Sequence, residues 1–124
     1  MRVFKNKGFS NWAEKEGLDD DALLTAVKEM ELGLIDADLG GHVVKKRIAL
    51  AGRGKSGGVR TLLAYMVGNK AFFVYGFAKS ARANISADEL KALKHLAKEL
   101  LNYTDKALAE AITHGALIEV NNDE

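Results

Sequence analysis

Val43-Val44-Lys45-Lys46-Arg47-Ile48-Ala49-Leu50 is followed by the glycine-rich run Gly52-Arg53-Gly54-Lys55-Ser56-Gly57-Gly58. Then come Val59 to Val67, the pair Gly68-Asn69, and Ala71-Phe72-Phe73-Val74-Tyr75-Gly76-Phe77-Ala78-Lys79. Three runs rich in β-branched, aliphatic and aromatic residues, separated by glycine-bearing breaks, predict three consecutive strands. Gly68-Asn69 predicts a tight hairpin turn between the second and third. Two-residue alternation in the first run puts Val44, Lys46, Ile48 and Leu50 on one face and Lys45, Arg47 and Ala49 on the other.

Helical patterns lie on both sides of this block. Before it, Val3-Phe4 predicts a short edge strand. Ser10 predicts an N-cap for a short helix through Trp12 that Gly17 ends. Asp19 to Asp21 place carboxylates at the start of a second helix, where the dipole favours them. Its apolar residues Leu23, Ala26, Val27 and Met30 follow at helical spacing as far as Gly33, and Gly40-Gly41 marks a turn. After the block, Ser86-Ala87-Asp88-Glu89 has the pattern of a capping box, followed by Leu90, Leu93, Leu96, Ala97, Leu100 and Leu101. A last helix is expected from about Thr104 to Gly115, with Ala116 to Val120 as a further strand or a docking tail. Strands that run together between helices predict an α+β fold. The expected form is a small, mainly antiparallel sheet with N-terminal helices packed on one face, and C-terminal helices. The 124 residues are expected to form one domain, with 102–124 as its C-terminal helix and tail.

Composition narrows the chemistry. There is no cysteine, which excludes disulfides, thiolate metal sites and a cysteine nucleophile. No run of eighteen apolar residues suggests a transmembrane helix, and the charged start lacks a secretory signal, so a cytoplasmic protein is expected. The formal net charge is only +1, yet residues 39–87 contain no Asp or Glu. They carry Lys45, Lys46, Arg47, Arg53, Lys55, Arg60, Lys70, Lys79 and Arg82. Such a stretch suits a polyanion, of which nucleic acid is the commonest.

Gly52 to Gly57 matches G-x-G-x-x-G, and Gly54-Lys55-Ser56 ends like a phosphate-binding loop. Neither reading survives its context. The first glycine of the Walker pattern would fall on Ala49, and the dinucleotide pattern must open a helix where this chain continues as a strand. Arg53, Lys55 and the amides of the run are instead candidate contacts to nucleic-acid phosphates, the alternative being a plain strand connector. His42, His95 and His114 are not spaced as metal ligands. No metal and no cofactor is expected.

In combination, Lys45-Lys46-Arg47, the run Gly52 to Arg60, Phe72 to Lys79 and Arg82-Ala83-Asn84-Ile85-Ser86 resemble the RelE/ParE superfamily of toxins from bacterial type II toxin–antitoxin systems. The likeness is strongest to the HigB-like branch and runs from about Phe4 to Leu101. It implies a compact toxin with a basic concave sheet face and ribosome-dependent cleavage of mRNA. It also implies a cognate antitoxin, usually a helix-turn-helix repressor through which alone operator DNA is contacted, and no membrane association. By position, the catalytic candidates are Lys45, Arg47, Arg60, Lys79 and Arg82, with Lys46, Arg53 and Lys55 as RNA or phosphate contacts. RelE has an arginine directly after the lysine of its third cluster, where this chain has Ser80. RelE's base-stacking tyrosine corresponds to a place near Ser86, so stacking falls to Tyr65, Tyr75 or Phe77.

RNA cleavage through the ribose 2′-OH needs a base, stabilisation of the phosphate's developing charge, and a proton for the leaving 5′-oxygen. Lysine among like charges is the easiest to deprotonate, which marks Lys45 as the candidate base. Arginine's fork suits the phosphate and marks Arg60. Two other functions share these features: a ParE-like toxin that poisons DNA gyrase, and a non-catalytic nucleic-acid-binding regulatory module.

Overall fold

The computed structural model describes residues 1–50 and 54–121. Six strands form one sheet in the order β2-β3-β4-β5-β1-β6. The strands are β1 (Arg2–Asn6), β2 (Ala37–Asp38), β3 (Val43–Leu50), β4 (Gly54–Met66), β5 (Lys70–Ala78) and β6 (Leu117–Val120). The helices are α1 (Lys7–Glu16), α2 (Asp20–Glu31), α3 (Ala87–Leu101) and α4 (Asp105–Thr113). All strand pairs are antiparallel except β1 with β5. This is the expected α+β architecture.

The sheet carries a core on each face. On one, Phe9, Leu23, Val27 and Met30 of α1 and α2 pack with Val44, Ile48, Val59, Leu63 and Phe73 of the strands. On the other, Ala97, Leu100 and Leu108 of α3 and α4 pack with Phe4, Val43, Ala64 and Phe72. The Phe4 and Phe72 rings stack with centroids 4.9 Å apart. The N-terminal helices thus share one face and the C-terminal helices the other.

Several helix ends form as the side chains dictate. Asp19 accepts from the Ala22 amide and Thr104 from the Ala107 amide. Ser86 and Glu89 complete a reciprocal capping box. Gly17 closes α1 in the left-handed region (φ 76°).

Three expectations are corrected and one strand is added, four differences in all. Val3-Phe4 does not begin an edge strand: β1 lies between β5 and β6. The cap of α1 is Asn6, whose side chain accepts from the Phe9 amide at 2.8 Å, so the helix starts three residues before Ser10. The two-residue strand β2, which pairs Ala37 with Lys45 and Asp38 with Val44, had no signal of its own. The fourth concerns the glycine-rich run: from Gly54 onward it is strand rather than connector, with Gly54 opposite Leu50 and a register shift between Ile48 and Leu50. Gly58 is there because the chains are close. A Cβ on it would strike the Ile48 carbonyl oxygen. Gly52 and Arg53 fall outside the described residues.

Candidate functional site

Arg60 pairs directly with Arg47 on β3 and with Phe77 on β5. One step along, Leu62 pairs with Lys45 and with Tyr75. Directly paired residues point to the same side of a sheet. Lys45, Leu62 and Tyr75 therefore form one row across three strands, and Arg47, Arg60 and Phe77 the next. The same alternation carries Val43 and Ala64, which α3 covers, so the two rows are the end of the α3 face beyond the helix's core contacts. Arg60 lies well inside β4, not at its start beside a loop as the glycines suggested.

Arg60 is 8% exposed, and its Nη1 is buried without a hydrogen-bond partner. A buried guanidinium beside another arginine, with no carboxylate on it, is costly. The neighbouring cations differ. Arg47 is exposed and anchored by Asp36, which accepts from its amide at 2.6 Å and from its Nε at 3.3 Å. Arg82 forms a two-pronged pair with Glu89, Nη2 to Oε1 at 2.6 Å and Nη1 to Oε2 at 2.9 Å. Among the described residues no carboxylate pairs with Lys45, Arg60 or Lys79, and Lys79 is exposed one residue past β5.

Lys46, a candidate RNA or phosphate contact, is not on the face of Lys45, Arg47 and Arg60. It lies on the opposite face, 6% exposed, with Nζ 2.8 Å from Glu29 Oε1 of α2 and 3.0 Å from the Leu34 carbonyl. Its ammonium is held by protein groups on that face. Lys46→Met is therefore expected to shift the melting temperature while leaving the activity per folded molecule within about twofold, checked by a thermal melt beside a rate measurement. Lys55 is a residue of β4, and Arg53 lies outside the described residues.

The aromatic candidates also separate. Tyr65 is buried on the α1–α2 face with its hydroxyl unpartnered, and burial pushes its phenol up from the ordinary value. Tyr75 and Phe77 stand in the two rows, with ring centroids 6.2 Å apart. The Arg82 guanidinium lies 5.8 Å from the Phe77 centroid and donates from Nη1 to the Tyr75 hydroxyl at 3.2 Å.

Glu89 was legible as a cap but not as a partner of the site. Arg82, with help from the Ser86 amide, holds its carboxyl down at about 2 from an ordinary 4.5. A carboxylate depressed in the folded state adds stability above the ordinary value and loses it as pH falls through the folded one. The melting temperature is accordingly expected to drop between about pH 4.5 and pH 2, and Glu89→Gln to flatten that part of the curve, read by circular dichroism across the titration.

Among the described residues no three His, Asp or Glu side chains gather where they could hold a metal ion, and no helix is long and apolar enough to cross a membrane. What the face offers is fixed positive charge beside two aromatic rings, which suits a phosphate with a base attached.

Compared with protein-family models, residues 1–120 match the RelE toxin of the RelE / RelB toxin–antitoxin system. No curated protein matches the chain.

Proposed function

The chain belongs to the RelE toxin family, as a toxin of a toxin–antitoxin system with a cognate antitoxin as partner, and from that premise we propose that it is an mRNA endonuclease acting on the ribosome in the cytoplasm. The observation that carries the proposal is Arg60: a buried guanidinium with an unpartnered Nη1, between Arg47 and Phe77 and one row from Lys45 and Tyr75. Arg60 receives the scissile phosphate, and its bond strengthens as negative charge grows on the non-bridging oxygens.

The reaction is an internal transfer. The ribose 2′-oxygen gives its proton to Lys45 and bonds to the adjacent phosphorus. The bond from phosphorus to the 5′-oxygen breaks, and that oxygen takes up a proton from solvent water. The products are a 2′,3′-cyclic phosphate and a 5′-hydroxyl. Lys79, Arg53 and Lys55 contact flanking phosphates, and Arg47 adds charge beside Arg60. DNA lacks the attacking group and is spared. We place the chain near the HigB branch on the run from Gly52 to Arg60 followed by Gly76-Phe77-Ala78-Lys79, and expect an antitoxin of the helix-turn-helix type.

Purified protein is expected to cleave mRNA on programmed ribosomes, with primer extension locating the cut and end-labelling showing the cyclic phosphate that direct 2′-OH attack leaves. Inhibition of gyrase supercoiling without mRNA cleavage would instead assign the chain to the gyrase-poisoning class. Binding of RNA without either activity would leave a regulatory module.

A further inference from the structure

Arg82 has five N–H donors, and four are engaged within the protein. Besides the two bonds to Glu89 and the one to the Tyr75 hydroxyl, Nε donates to the Asn84 carbonyl at 2.9 Å. A guanidinium so occupied, with a carboxylate on its fork, has little left for a phosphate. The acid responsible belongs to a helix cap: Glu89 Oε1 also accepts from the Ser86 amide at 2.8 Å. One carboxylate thus fixes the start of α3 and the arginine above the Phe77 ring.

We infer that Glu89 is a positioning residue of the basic face, locking Arg82 so that Arg82 holds Tyr75, and that Tyr75 rather than Arg82 meets the substrate. The inference rests on the endonuclease reading above. Tyr75 is half-buried and shares its row with Lys45 and Leu62. Its oxygen is already an acceptor, which leaves its own O–H and its ring for the nucleotide. A base stacked against a held ring keeps the attached ribose and phosphate in register with Lys45 and Arg60. The effect belongs to the geometry of the bound state, so its loss appears in kcat more than in KM.

The sequence supplies a variant that separates the two duties. Gln at the third helical position sustains a capping box as Glu does, but it is neutral and offers the guanidinium a single acceptor. Glu89→Gln is expected to melt within a few degrees of wild type at neutral pH and to lower kcat on ribosome-bound mRNA about tenfold, with KM within about twofold. Tyr75→Phe, which leaves the cap untouched, is expected to lose a similar factor. The double variant should lose little more than either single one, since both break one chain of contacts. Ser86→Ala does the reverse, lowering the melting temperature and leaving kcat unchanged.

Wild-type kcat in Tyr75→Phe would overturn the inference even if Glu89→Gln did not fold. So would wild-type kcat in a folded Glu89→Gln, or losses that multiply in the double variant. Wild-type protein assayed in the same experiment separates the two levels. If it fails to cleave, the endonuclease reading falls and takes this inference with it. If it cleaves and the variants match it, only the inference falls.

Discussion

Arg60→Ala is expected to lower the rate of mRNA cleavage by at least about a hundredfold, the usual loss when one preorganised donor to a developing anion is removed. Its effect on folding should be small, because two consequences oppose each other. Truncation leaves a gap in a packed sheet face. It also removes a buried charge whose Nη1 has no partner and which sits opposite Arg47. The melting temperature and the affinity for antitoxin should therefore stay near wild type while cells expressing the variant keep growing. Arg60→Lys tests the geometry: the charge returns but the two-pronged fork does not, and most of the loss should remain. A variant that melts several degrees lower and still cleaves at the normal rate would make Arg60 a structural residue.

Gly58→Ala is expected to damage the sheet strongly. The added methyl meets the Ile48 carbonyl oxygen and lies close to the Ala49 Cα. These are backbone atoms of the neighbouring strand and cannot swing aside as a side chain would. Forcing a methyl into such a site typically costs about 1–3 kcal/mol, on the order of 5–10 °C in melting temperature for a chain of this size. The strain falls two residues from Arg60, so cleavage should drop as well. Gly8→Ala, whose Cβ would meet nothing nearer than Asn6 Oδ1 at 3.9 Å, should melt at or above the wild-type temperature.

Elements written in contiguous patterns were legible in the sequence. Val43 to Leu50 is a strand with the expected bounds and faces, and Ser86 caps α3 through a capping box as its pattern predicted. The start of α1 was obscured because Asn6 both ends a strand and caps a helix, leaving no break for a turn signal. β2 is too short for any period and exists because Ala37 and Asp38 find β3. Glycine content argued for a loop at Gly54 to Gly58, while at Gly58 the close approach of the neighbouring strand, invisible in composition, requires a glycine within a strand.

The site divides in the same way. Alternation along β3 separated Lys46 from Lys45 and Arg47. The acid-free stretch located the cations but could not show which were already neutralised, because the acids responsible, Glu29, Asp36 and Glu89, all lie outside residues 39–87. The isolation of Arg60 is a fact of three dimensions.

The position of β1 bears on the order in which the molecule is built. Val59 to Phe77 and its neighbour β3 meet through successive hairpins, so both rows of the basic face are made by segments close in the chain. β1 is different. Arg2 finds Lys70 across 70 − 2 = 68 positions, and Val3 finds Val120 across 120 − 3 = 117. Contacts that span so much chain form late and slowly. During synthesis the first strand emerges with neither neighbour, and its second arrives only with β6. Nascent chains thus pass through a stage in which the three-stranded meander exists while the seam beside it, including the edge of β1, stays open. A chain ended before Leu117 lacks the partner that covers β1 on that side, and such an open edge favours self-association.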